Sequence, residues 1–221
     1  IEGMGYLSQE NSQGFYLHPS IALTTERLCL GVIDMQAWSR KKLGIREERK
    51  KKPIEEKETY CWLKGYEAAN EVAKEAKDTI IINVADREAD IYEVLEKMPS
   101  EENKAYWLIR AQHNRGLIGE ENEVEKEKLR ERVKGTEVLG DIEFSIPAGK
   151  WRGRERKERQ IKQEIRSCEV KLRAPGRKDR KLESISIYVV HCTEVSPVEE
   201  EEEIEWLLIT SYPVENKEIA L

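Results

Sequence analysis

The sequence predicts an α/β protein: a mixed sheet with flanking helices, interrupted by a largely antiparallel β region. Three observations carry that expectation. Residues 79–98 read as strand, acid, helix, with Ile80, Ile81, Ile82 and Val84 ahead of Asp86 and the apolar spacing Ile91, Tyr92, Val94, Leu95 after it. Residues 58–76 carry Trp62, Tyr66, Ala69, Val72 or Ala73, and Ala76 at helical spacing. Beyond Gly135 the period changes to two.

Taken in order, Gly14 to Thr24 and Leu28 to Asp34 read as two strands joined through Thr25 and Glu26 into an antiparallel hairpin, with Pro19 marking an edge or a bulge. His18 reads as a packed or edge histidine, and Asp34 as structural. Arg40 to Lys57 is a charged connector, too polar to bury. The helix that follows starts at Thr59 to Trp62, with Trp62 as a core anchor against the sheet. Four aliphatics around Asn83 then read as a strand buried on both faces, since a half-buried strand would alternate. Asp86 stands where that strand stops. An acid there suits a catalytic or metal-binding carboxylate, because ligands of open α/β sheets bind outside the strand ends. It suits equally a cap for the next helical turn. That helix runs to Met98, where Pro99 stops it.

Ala105 to Ala111 reads as another strand, and Arg110, His113 and Arg115 lie on the way out of it, placed for an anionic ligand or for an ion pair with Glu88 or Asp90. Glu123 to Lys134 reads as a short helix closed by Gly135 at a left-handed cap. Asp141 to Ile146, Gln163 to Leu172, Ser184 to Thr193 and Ile204 to Ser211 read as four strands of a mostly antiparallel sheet. The acidic run Glu199 to Glu203 reads as a solvated loop.

Composition narrows the function classes. Charged residues make up 37% of the 221 and hydrophobic ones 38%, which predicts a soluble chain with a heavily solvated surface. No apolar run approaches membrane-spanning length, and no cleavable leader pattern opens the chain, which begins at Ile1 and reads as a piece of something longer. Cys29, Cys61, Cys168 and Cys192 lack C-x-x-C spacing and read as reduced intracellular thiols. No Walker loop, dinucleotide fingerprint, G-x-S-x-G or H-E-x-x-H occurs. Charge is distributed unevenly. Between Lys150 and Lys181 fourteen Lys/Arg face five Asp/Glu, a local +9 that leaves −15 for the rest of a chain whose net charge is −6. Phosphates meet the local field and not the average, so this stretch is the candidate nucleic-acid face, with Arg152, Arg154 and Arg156 at its centre.

The segments VADREADIYEVL, WLIRAQHNR, LGDIEFSIPAG and EWLLITSYPVEN, with KETYCWLKG ahead of them, resemble the middle of a bacterial insertion-sequence transposase. The branch is the DDE cut-and-paste group with a Tyr-Arg-Glu-Lys signature helix and a β insertion. The likeness runs from about Gly14 to Val214. It implies a partial ribonuclease-H-like mixed sheet, and a division into an incomplete core at 1–115, a β-rich insertion at 116–203 and a return toward the core at 204–221. It assigns Asp86 as the second acid of the catalytic triad and a metal ligand, Arg110 as a DNA-holding arginine, and Trp206 as the aromatic on which a flipped base stacks. Gln112 stands where relatives often carry a second basic residue.

The resemblance also implies that the complete enzyme cleaves and joins DNA with Mg²⁺ or Mn²⁺, as a homodimer on double-stranded transposon ends, in the bacterial cytoplasm with the nucleoid. The other two acids are expected before Ile1 and after Leu221, so this chain alone is expected to be inactive and to hold no metal tightly. Two alternatives stand: a DNA-binding or dimer-forming regulator without enzymatic activity, and an unrelated metal nuclease whose site is completed by Glu88 and Asp90.

Overall fold

The computed structural model describes residues 4–7, 12–40, 52–98, 105–119, 123–151, 154–177, 181–197 and 203–221. They form two compact units, one of Ile1–Asn83 with Ser100–Ala105, the other of Val84–Pro99 with Tyr106–Leu221. Strands on both sides of residues 115/116 and 203/204 belong to one sheet.

The first unit begins with the short pair β1 (Gly5–Tyr6) and β2 (Gln13–Gly14), then the hairpin β3 (Tyr16–Leu23) and β4 (Cys29–Trp38). The hairpin turn runs through Thr24 to Leu28, where Arg27 adopts φ 68°. Alternation along β3 turns His18, Ser20 and Ala22 inward and leaves Leu17, Ile21 and Leu23 exposed. Register shifts follow Ser20 and Ala22, next to the position where Pro19 suggested a bulge.

Helix α1 (Tyr60–Glu75) buries Leu63, Tyr66, Ala69, Asn70 and Ala73. Trp62 stands half-buried at the edge of that stripe, its ring edge-on to His18 at 4.4 Å. Gly65 marks a close approach of α1 to the hairpin, where a Cβ would lie 2.9 Å from Ser20 Oγ and the serine hydroxyl would have to turn away. Tyr66 donates a hydrogen bond to the Ala105 carbonyl, and Asn70 accepts one from the Ala105 amide. The charged connector is less polar in effect than expected. Ile54 is buried in a 3-10 turn, and Arg40 bonds Glu58 and the Tyr16 hydroxyl; residues 41–51 lie outside the described set.

The large sheet is mixed and mostly antiparallel. Its strands are β5 (Ile82–Ala85), β6 (Tyr106–Arg110), β7 (Gly116–Ile118), β8 (Val124–Lys128), β9 (Val138–Ile146), β12 (Arg159–Leu172), β13 (Ile185–Glu194) and β14 (Glu205–Thr210), while β10 (Gly149–Trp151) and β11 (Arg154–Arg156) form a separate hairpin. The order is β5-β6-β14-β13-β12-β7-β8, with β9 also on β12. The 14-residue β12 organises it: β13 pairs along Gln163–Leu172, while β9 pairs with Arg159–Arg166 and β7 meets Leu172. Its helices are α2 (Tyr92–Lys97), α3 (Leu129–Lys134) and α4 (Lys217–Ala220).

Register assigns the two faces. Ile109, Val189, Leu207 and Ile209 share one face with His191, and all are buried. On the other face Ile165 and Val190 pack with Val214, and Leu208, Cys192 and Ala220 lie against them.

Two expectations are corrected. The strand before Asp86 is not buried on both faces: Ile80, Ile82 and Val84 are 61%, 40% and 69% exposed, so one face of this run, which ends in the end strand β5, is uncovered. A run of aliphatics does not reveal whether a strand stands at the centre or the edge. The helix expected over Glu123 to Lys134 is half strand, since Val124–Lys128 pairs with β7 and only Leu129–Lys134 is helical. Gly135 closes it at φ −79°, in right-handed geometry.

Candidate nucleic-acid interface

Trp206 and Arg110 come together on one face of the sheet. Leu208 of β14 stands opposite Arg110 of β6, so Trp206, two residues before Leu208, falls diagonally beside the arginine. The Arg110 guanidinium lies 5.0 Å from the Trp206 ring centroid, within cation–π range. Trp206 is 43% exposed, so it is not a core residue, and alternation turns Leu207 inward in its place. An exposed indole paired with a guanidinium can stack on a nucleobase and neutralise a phosphate.

Asp86 follows β5 and is exposed. Its Oδ1 accepts the Glu88 amide at 2.7 Å, capping a 3-10 turn over Arg87–Ala89, so the capping role open in the sequence is realised. Asp90 has no exposed side-chain surface. Its Oδ2 accepts the amides of Gln112 and His113 at 2.7 and 2.8 Å, and its Oδ1 pairs with Arg115. Arg115 therefore holds the loop after β6 to the turn after β5, and its guanidinium is engaged inside the protein at 13% exposure. Burial pushes the neighbouring Tyr92 phenol up to about 12, and its hydroxyl donates to the Glu183 carbonyl.

These placements bear on metal. Asp90 is saturated by protein partners and cannot complete a site with Asp86 and Glu88. Among the described residues no group of three or more His, Cys, Asp or Glu is gathered as ligands. Asp86 therefore stands without a gathered set of further ligands among the described residues.

Four of the fourteen cations of the basic stretch are engaged in ion pairs shown among the described residues. Arg159 pairs with Glu194, Lys162 with Asp141 and Glu143, Arg166 with Glu164, and Arg177 with Glu93. Arg154 and Arg156 belong to the β10–β11 hairpin by backbone, and Arg152 lies outside the described residues.

Sequence reading missed Glu205. Its carboxylate is held by Arg130 and Lys134 of α3 and by His191 Nε2 at 2.7 Å. Burial works to raise this carboxyl, but the bonds from His191 and Arg130 outweigh it and leave it below its ordinary value. His191, fully buried, is pushed below its ordinary value by that burial, against the pull of Glu205. The signal was the alternation of β14, which turns Glu205 away from Trp206 and toward the buried side. No helix among the described residues is long and apolar enough to cross a membrane. No protein-family model matches the chain.

Proposed function

We propose that this chain is the central part of a DDE-type DNA transposase, and that Arg110 and Trp206 contact the transposon end, the arginine at a phosphate and the indole under an unpaired or flipped base. The observation that carries the reading is the exposed Trp206 ring beneath the Arg110 guanidinium. Supporting it, β14 returns beside β6 after the long β excursion from β7 to β13, an arrangement in keeping with a ribonuclease-H-like sheet interrupted by an insertion. Asp86, exposed after β5, is the residue that would join further carboxylates to hold Mg²⁺ or Mn²⁺ in the complete enzyme. Cleavage and strand transfer, the homodimer, and residence with the bacterial nucleoid belong to this reading of the whole protein.

The saturation of Asp90 weighs against the unrelated metal nuclease. The regulator reading predicts the same DNA contacts without metal chemistry. Binding to a labelled duplex carrying an unpaired terminal base tests the interface. Trp206→Ala is expected to weaken it by about 1–3 kcal/mol while leaving binding to the fully paired duplex nearly unchanged. Arg110→Ala is expected to lower the salt slope by about 0.9. Equal loss on both duplexes, or none, sinks the proposal.

A further inference from the structure

Trp206 sits where the backbone ladder has thinned. On the β13 side Trp206 and Glu205 are paired, with Cys192 and Thr193. On the β6 side pairing covers Leu208 to Thr210, and the last bond is from the Ala111 amide to the Leu207 carbonyl. Beyond it the Gln112 and His113 amides turn to Asp90, so β6 leaves the sheet just before it would reach Trp206.

Side chains hold the start of β14 instead. Gln163 donates to the Ile204 carbonyl at 2.6 Å, and the Ile204 amide donates to Glu194. One residue on, Glu205 is gripped from β13 by His191 and from α3 by Arg130 and Lys134. The grip lies on the face opposite Trp206.

We infer that His191 is a positioning residue for Trp206: its imidazole and Glu205 form a proton-sensitive brace that sets the start of β14, and hence the stacking surface, intact while the ring is neutral. The inference rests on the nucleic-acid reading above for its consequence, but not for the brace.

The geometry gives the direction. The neutral ring needs only one N–H, donated from Nε2 to Glu205. Protonation would add an N–H at Nδ1, which is buried without a partner among the described residues. It would also add positive charge where Arg130 and Lys134 already share Glu205, and where Arg166 of β12 stands opposite His191 in register. The other ionisable groups of that face on β12 are Glu164, opposite Thr193 and paired with Arg166, Cys168, opposite Val189, and Lys162, which is paired with Asp141 and Glu143 of β9, with Arg132 of α3 acting on Cys168. Acid therefore loosens the brace.

The test places 5-fluorotryptophan in the whole chain and follows the Trp206 fluorine resonance, assigned with Trp206→Phe, against pH without DNA. In the unaltered protein it should titrate with a midpoint below the ordinary histidine range. In His191→Gln, which keeps a neutral donor to Glu205, it should not titrate. Lys134→Gln, on a half-exposed side chain, should raise the midpoint by removing a repelling cation, and serves if the buried substitution does not fold.

Affinity for the duplex with an unpaired base should fall below that midpoint, approaching about tenfold per pH unit, the limit for one linked proton. It should be flat in His191→Gln and low at every pH in His191→Leu. A Trp206 resonance that is constant across the acid range, that titrates equally in His191→Gln, or whose midpoint ignores Lys134→Gln overturns the brace. A resonance that titrates as expected in a protein whose binding ignores Trp206→Ala keeps the brace and removes the nucleic-acid reading.

Discussion

Asp90 is the residue on which the loop beside the candidate interface depends. Two backbone amides and a guanidinium converge on a carboxylate with no exposed surface. Asp90→Ala would leave Arg115 buried and uncompensated, and should destabilise the protein by about 3–5 kcal/mol in urea unfolding. His191 governs a pH dependence through the opposite arrangement, a buried ring with one satisfied nitrogen. Burial depresses its folded-state pKa, so the unfolded chain binds more protons between the folded value and the ordinary one. Its contribution to stability is complete above the ordinary value of about 6.5 and is lost as pH falls through the folded one. Urea midpoints measured down that range should decline in the unaltered protein and decline less in His191→Gln.

At the scale of elements, β5 and the turn after it separate packing from chemistry. Val84 is exposed on β5 while Ile109 on the adjacent β6 is fully buried. Val84→Ala should therefore change stability by less than about 0.5 kcal/mol, and Ile109→Ala should cost about 2–5 kcal/mol. Equal costs would show that β5 is enclosed. Asp86→Ala removes one cap bond of a three-residue turn and should cost about 0.5–2 kcal/mol, and calorimetry should find Mg²⁺ binding to this chain weak with or without it. Tight binding that requires Asp86 would bring back the metal-nuclease reading.

For the molecule as a whole, the local +9 of the sequence overstates the field available to phosphate. Three of its basic residues, Arg159, Lys162 and Arg177, are paired with acids outside the stretch, which the count of +9 leaves out. Reversing the charge of Arg152, Arg154 and Arg156 together should flatten the salt dependence of DNA binding by up to about 0.9 for each phosphate no longer neutralised. A slope that does not move would make the β10–β11 hairpin a solvated loop and leave the field to Arg110 and its neighbours.

Local pattern was enough for the hairpin, for α1, for the strand-acid-helix order around Asp86 and for the four long strands after Gly135, though not for the short pair β10 and β11, because each of the former is written in a period of two or 3.6 and in turn residues. It also brought Asp86 and Arg110 forward as candidates, whereas Trp206 came forward only through the family resemblance. It could not decide exposure or partnership. Whether Trp206 is core or surface depended on which face of β14 meets the helices, and the residues of β14 are apolar on both faces. Whether Arg115 meets DNA or Asp90 depended on an interaction across 25 positions of sequence. Val124–Lys128 became a strand, and Ile80 to Val84 an exposed edge, through pairing with β7 and the place of β5 in the sheet order. Such outcomes are non-local: periodicity records what a segment can bury, and only the neighbours supplied by the tertiary structure determine what it does bury.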